Sequence, residues 1–119
     1  MPARPYSPWR RAGDFVIVSG QLGTLPDRDA LTFAEGGAPV QLRQALVNAS
    51  RLLDEAGSSL GDVVKTTMFV MDMADFAALN EVWLEMFSEP LPTRSAFGVA
   101  ELPYGALVEV ELWAYSPER

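Results

Sequence analysis

The chain has 119 residues, a formal net charge of −7, 49% apolar residues and 21% charged residues. That length and composition predict one globular domain spanning 1–119. The absence of cysteine and histidine excludes disulfides, thiolate chemistry, imidazole metal ligands and a Ser-His-Asp triad.

Phe15-Val16-Ile17-Val18-Ser19-Gly20 reads as a strand after a Gly13-Asp14 turn. Residues 23–39, rich in Gly, Pro and Asp, read as a loop with a short strand around Leu31-Phe33. A helix follows, with Leu42, Ala45, Leu46, Ala49, Leu52, Leu53 and Ala56 at helical spacing and Gly57 as its stop. Gln41, Arg43, Asn48, Arg51 and Asp54 occupy its polar face.

Residues 63–70 are β-branched and apolar, which predicts a strand. Lys65 and Thr67 would share one face, and Val64, Met68 and Val70 the other. Residues 74–87 form a second helix with Phe76, Leu79, Trp83, Met86 and Phe87 as its apolar stripe. Asp72 or Asp75 would cap it. Pro90 and Pro92 end it and lead into a loop carrying Arg94. A short strand at 95–99, a turn at 102–105 and a last strand at 107–115 complete the chain. The expected order is β(β)αβαββ, a two-layer sandwich of a mixed sheet with two helices on one face.

The last strand predicts self-association. Val108, Val110, Leu112 and Ala114 form a wholly apolar face that packs on the helices. The opposite face, Leu107, Glu109, Glu111, Trp113 and Tyr115, mixes carboxylates with large aromatics. Bare apolar sheet faces of this kind mark interfaces, so other copies of the chain are expected to cover it.

Arg94 and Glu109 are the leading candidates for chemistry. Arginine presents a planar fork matched to carboxylate or phosphate, and the alternative for Arg94 is a salt bridge to Glu89 or Glu101. A carboxylate buried mid-strand is costly unless paired, and the alternative for Glu109 is an exposed or ion-paired side chain. Composition does not separate it from Glu111. Tyr6, Ser19 and Gly20 form a third candidate group, since a strand-ending glycine admits close backbone approach by a ligand. Asn80 reads as a helix-to-loop hydrogen-bonding residue. Lys65, the only lysine, is the sole Schiff-base candidate.

The acidic balance opposes nucleic-acid binding. Arg4, Arg10 and Arg11 read as solvated or intersubunit charges. No apolar run approaches membrane-spanning length and the N-terminus lacks a signal-type apolar core, so a cytoplasmic protein is expected.

Taken together, Pro5-Tyr6-Ser7, Val18-Ser19-Gly20-Gln21, Ala56-Gly57, Asp62-Val63-Val64-Lys65-Thr66-Thr67, Asp75-Phe76-Ala77 with Asn80, Pro92-Thr93-Arg94-Ser95 and Val108-Glu109-Val110-Glu111 closely resemble the reactive intermediate deaminase (Rid) family. That family also carries the label L-PSP endoribonuclease or translation inhibitor. The resemblance implies a chorismate-mutase-like fold and a homotrimer, with three sheets around a central barrel and clefts between subunits. It implies hydrolysis of 2-imino acids and their enamine tautomers to 2-oxo acids and ammonia, without metal or organic cofactor.

Carried over onto this sequence, Arg94 pairs with the substrate carboxylate, Glu109 handles the attacking water and Tyr6 lines the cleft. Ser19 and Gly20 lie near the ligand, and Asn80 supports the site. Ala96 stands in the substrate-binding stretch where the family often has cysteine, which excludes cysteine chemistry there. Trp9 is bulkier than the usual family residue and is expected to narrow the cleft or alter the subunit surface. The alternatives are a non-catalytic sensor of small carboxylates and a deaminase specialised for a catabolic intermediate. A ribonuclease is disfavoured by the acidic charge and the lack of histidine.

Overall fold

The computed structural model describes residues 4–26 and 31–117. Its elements are β1 (Trp9–Ala12), β2 (Phe15–Leu22), α1 (Ala38–Glu55), β3 (Val63–Val70), α2 (Phe76–Met86), β4 (Thr93–Gly98) and β5 (Val108–Tyr115). The sheet order is β1-β2-β5-β3-β4. Only β3 and β4 pair in parallel, with α2 in the crossover between them. The sheet is therefore mixed, as expected.

Alternation along β5 fixes the two layers. Val108, Val110, Leu112 and Ala114 are fully buried and join Leu42, Leu46, Leu53, Leu79 and Trp83 of the helices in one core. On the other side of β5, Trp113 and Tyr115 remain 38% and 48% exposed. Phe97 on β4 is 52% exposed and stacks on Phe69 of β3. Phe15 meets both Trp113 and Tyr115 edge-on. One sheet face is thus helix-covered and the other is open and aromatic.

Several elements differ from the sequence reading. β1 is an additional edge strand, paired to β2 through a tight hairpin in which Gly13 takes φ 59. The Leu31-Phe33 strand reduces to an isolated bridge between Thr24 and Phe33, and residues 27–30 of that loop lie outside the described residues. α1 begins at Ala38 because Pro39 fits the first turn, where a missing N–H costs nothing. Asp72, rather than Asp75, takes the cap before α2 by accepting from the Ala74 N–H at 2.9 Å.

Two corrections bear on the site. Val64 is exposed and does not share a face with Met68 and Val70. A bulge sets two residues of β3, Val63 and Val64, against Ala114, so Val63 turns inward instead. Arg94 is not on a loop: it lies within β4, in parallel register with Thr66. The Thr66 and Thr93 hydroxyls bond across to the Thr93 and Val64 carbonyls at 2.7 and 3.0 Å, locking that pairing.

Arg11 is not a freely solvated surface charge. Its guanidinium donates to the carbonyls of Ser116 and Ala56, tying β1 to the end of β5 and the end of α1.

Candidate functional site

Glu109 sits on the open face of β5, between the buried Val108 and Val110. It pairs with Leu22 on β2, next to a bulge opposite Glu111: Val18 pairs with Leu112 and Gln21 with Val110, which leaves one extra residue at Ser19-Gly20. A Cβ on Gly20 would fall 2.5 Å from Glu109 Oε2. The glycine is what lets the carboxylate lie against the β2 backbone. Burial, and secondarily the charge of Glu111, push the Glu109 carboxyl above its ordinary value. Glu109 has no cation partner among the described residues.

Ser19 braces the segment that carries Tyr6. Its hydroxyl donates to the Ser7 carbonyl at 2.7 Å and its N–H to the Pro8 carbonyl at 3.0 Å. Trp9, next along, packs against the core, so it does not narrow the space beside Glu109.

Two amides of α1 hold the remaining walls. Gln41 and Asn48, read from sequence as part of a polar face, are buried. Gln41 Oε1 accepts from the Leu107 N–H at 2.9 Å, fixing the turn before β5. Asn48 Nδ2 donates to the carbonyls of Leu22 and Thr24 at 3.1 and 2.9 Å, fixing the end of β2. Its Oδ1 accepts from Gln44 and Arg51. A polar residue on a helix reads as solvent-facing, and only its tertiary partners reveal the brace.

These walls enclose a cavity of about 470 Å³. Tyr6, Gly20, Asn48, Arg51, Tyr104 and Glu109 line it. That volume falls in the range of small-molecule sites. Among the described residues no group of three or more Asp or Glu side chains converges as a metal cluster would require. Tyr104 was not singled out as a site residue from the sequence; its place in the 102–105 turn was the only available signal.

Arg94 is elsewhere. It lies on the helix-covered side of the sheet, its guanidinium carbon 5.2 Å from the Phe76 ring centre and 5.0 Å from that of Trp83. Those rings hold the cation without neutralising it. Burial lowers its proton affinity from the ordinary value, though arginine stays charged. Neither Glu89 nor Glu101 pairs with it, and no described residue gives it an ion pair or hydrogen bond. Asn80 stands on α2 one turn after Phe76 and one turn before Trp83, the same helix face. Ala96 packs against the core beyond Arg94.

Within one chain, then, Tyr6, Gly20 and Glu109 come together, and Arg94, Asn80 and Ala96 belong to a second region across the sheet. Each region holds a half-buried charge that the scaffold leaves unpaired.

Known proteins resemble this chain along nearly its whole length. A RutC family protein of Pyrococcus horikoshii is 41% identical over 114 residues, which is 96% of this chain and 89% of that protein. The 2-iminobutanoate/2-iminopropanoate deaminase of Mus musculus is 39% identical over 107 residues, 90% of this chain and 78% of that protein. The crystal structure of RidA from Psychrobacter sp. superposes with a TM-score of 0.87 at 40% identity, covering 97% of this chain and 91% of that one. The family model for Endoribonuclease L-PSP matches residues 1–116. With the family model matched over residues 1–116 and relatives about 40% identical across nearly the whole chain, the chain belongs to the endoribonuclease L-PSP family, alongside proteins named RutC and Rid.

Proposed function

We propose that the protein is a cofactor-independent deaminase that hydrolyses 2-imino acids, with their enamine tautomers, to 2-oxo acids and ammonia, working as a homotrimer. One observation carries this reading. The fold keeps a guanidinium with no carboxylate and a carboxylate with no cation, both half-buried, among the described residues. An uncompensated charge of that kind weakens a fold and is retained where a ligand uses it. The name of the mouse relative supports the same chemistry.

An imine is already electrophilic, so positioning supplies most of what is needed. Arg94 of one copy grips the substrate carboxylate through two parallel hydrogen bonds, contributing about 3 kcal/mol. Glu109 of a neighbouring copy, its pKa raised by burial, takes a proton from water near neutral pH. The water oxygen bonds to the imine carbon and the C=N electron pair moves to nitrogen, which gains a proton. In the tetrahedral intermediate the hydroxyl proton passes to the nitrogen, with Glu109 as the carrier; the C–N bond then breaks, ammonia leaves and the C=O bond forms. One water is consumed and one ammonia released. Tyr6 lines the cleft, Ser19 and Gly20 shape its floor beside Glu109, and Asn80 with Ala96 flanks the arginine.

The open aromatic face supports the trimer, because sheet faces bearing residues such as Trp113, Tyr115 and Phe97 associate in water. The test uses 2-iminobutanoate generated in situ by a lyase, with 2-oxobutanoate followed by a dehydrogenase. Arg94→Ala is expected to lower kcat/KM about 100-fold, the equivalent of the carboxylate clamp, with the assembly intact by sedimentation. Retention of activity in that variant overturns the mechanism. Carboxylate binding without turnover by the wild-type protein favours a sensor instead.

A further inference from the structure

Tyr104 has a backbone that its side chain does not favour. It lies at φ 58, ψ 21, and every other described residue with positive φ is a glycine. The surrounding turn imposes this conformation. The Gly105 N–H donates to the Leu102 carbonyl, the Ala106 N–H to the Pro103 carbonyl, and Gln41 anchors Leu107 immediately after. Strained non-glycine positions held this firmly concentrate at ligand clamps.

The strain obtains nothing within the chain. The Tyr104 side chain is 68% exposed, and among the described residues it has neither a ring contact nor a hydrogen bond. Yet it lines the cavity that holds Glu109, and so does Tyr6, itself 56% exposed and without a ring partner among the described residues. Leu25 and Leu31 add apolar wall to the same space. A cavity of about 470 Å³ is far larger than a three-carbon acid requires.

Resting on the deaminase reading above, we propose that Tyr104 is a specificity-determining residue: with Tyr6 it forms an aromatic wall that receives the substrate side chain and favours 2-imino acids bearing an aryl or long apolar group. Flat aromatic walls gain most from planar apolar partners through offset or edge-on ring contact. Tyr104 takes no part in bond making. Its effect falls on the ranking of substrates.

The experiment compares imino acids made in situ from alanine, leucine and phenylalanine by an amino-acid oxidase, with hydrolysis read against semicarbazide trapping. The quantity of interest is the ratio of kcat/KM for the phenyl over the methyl substrate. It is expected to exceed unity in the wild type and to fall about tenfold in Tyr104→Ala, mostly through KM. Tyr104→Gly relieves the backbone and is expected to lose the same selectivity while gaining thermal stability. Tyr104→Phe is expected to keep the ratio. A wild-type preference for the methyl substrate, or a ratio unmoved in both Ala and Gly variants, overturns the inference.

Calorimetric binding of phenylpyruvate against pyruvate gives the same ratio without turnover. Should the wild type hydrolyse none of the imino acids while that binding ratio still falls in Tyr104→Ala, the deaminase reading fails and the aromatic wall stands. Should the binding ratio not move either, both fail.

Discussion

Glu109 is tuned by what lies on either side of it. Gly20 admits its carboxylate against the β2 backbone, where water is thinned, and Glu111 adds a like charge two residues on. Both raise the pKa, burial more than charge. The sign for stability follows from linkage. A carboxyl whose pKa is higher folded than unfolded binds its proton preferentially in the fold, so it contributes stability below the unfolded value, lost as pH rises through the folded one. At neutral pH the ionised Glu109 therefore weakens the fold. Glu109→Gln is expected to melt at a higher temperature than the wild type near pH 7, while losing deamination. The gap should close as pH falls through the raised pKa toward the ordinary carboxylate range. Thermal melts of both proteins from about pH 4 to about pH 8 check this, and a gap that is constant across the series contradicts the raised pKa.

At the level of elements, the cavity depends on a helix bracing two loops. Asn48 donates to two carbonyls at the end of β2, and Gln41 takes the one amide that fixes the exit of the Tyr104 turn. Helix and loop also meet at Gly23, where a Cβ would fall 2.4 Å from the Gln41 carbonyl oxygen, so no side chain fits between them. Asn48→Ala leaves the Leu22 and Thr24 carbonyls without their donor and is expected to cost about 1–3 kcal/mol in urea unfolding. KM for the imino acid should rise with it, since the β2 end carries Gly20 and Leu22 into the cavity wall. An unchanged unfolding midpoint would show that the brace is dispensable. None of this was legible in sequence, where Gln41 and Asn48 read as ordinary polar-face residues. What did read correctly was periodic: β3 at its full length, the apolar face of β5 and the stripe of α2. β1 escaped because Arg10 and Arg11 interrupt any strand-like run, and its existence depends on the Gly13 hairpin and on β2 offering an edge. Val64 misled because a bulge, a tertiary feature, reverses the face that alternation assigns. Arg94 was legible as a functional candidate but not as a strand residue, since its strand character comes from pairing with β3.

For the whole molecule, the decisive fact is that the chain separates the two charges it leaves unpaired. Arg94 lies against Phe76 and Trp83 on the helix-covered side, and Glu109 looks out from the open side. No rotamer brings them together through a close-packed sheet. If both act on one substrate, they come from different copies, and the site is shared between them. Rotational symmetry makes that sharing testable, because each site then draws its arginine from one chain and its glutamate from another. Arg94→Ala and Glu109→Gln are each expected to keep no more than about 1% of wild-type activity alone. Unfolded together in equal amounts and refolded, or co-expressed with separable tags, they form mixed oligomers. A site with an intact arginine must take it from the Glu109→Gln chain, and an intact glutamate from the Arg94→Ala chain. Random assortment meets both conditions with a probability of one half times one half, so about a quarter of wild-type activity should return. Charges acting within a single chain would give no recovery, because every chain in the mixture lacks one of them. Hybrids that form by mass yet stay inactive would overturn the shared site.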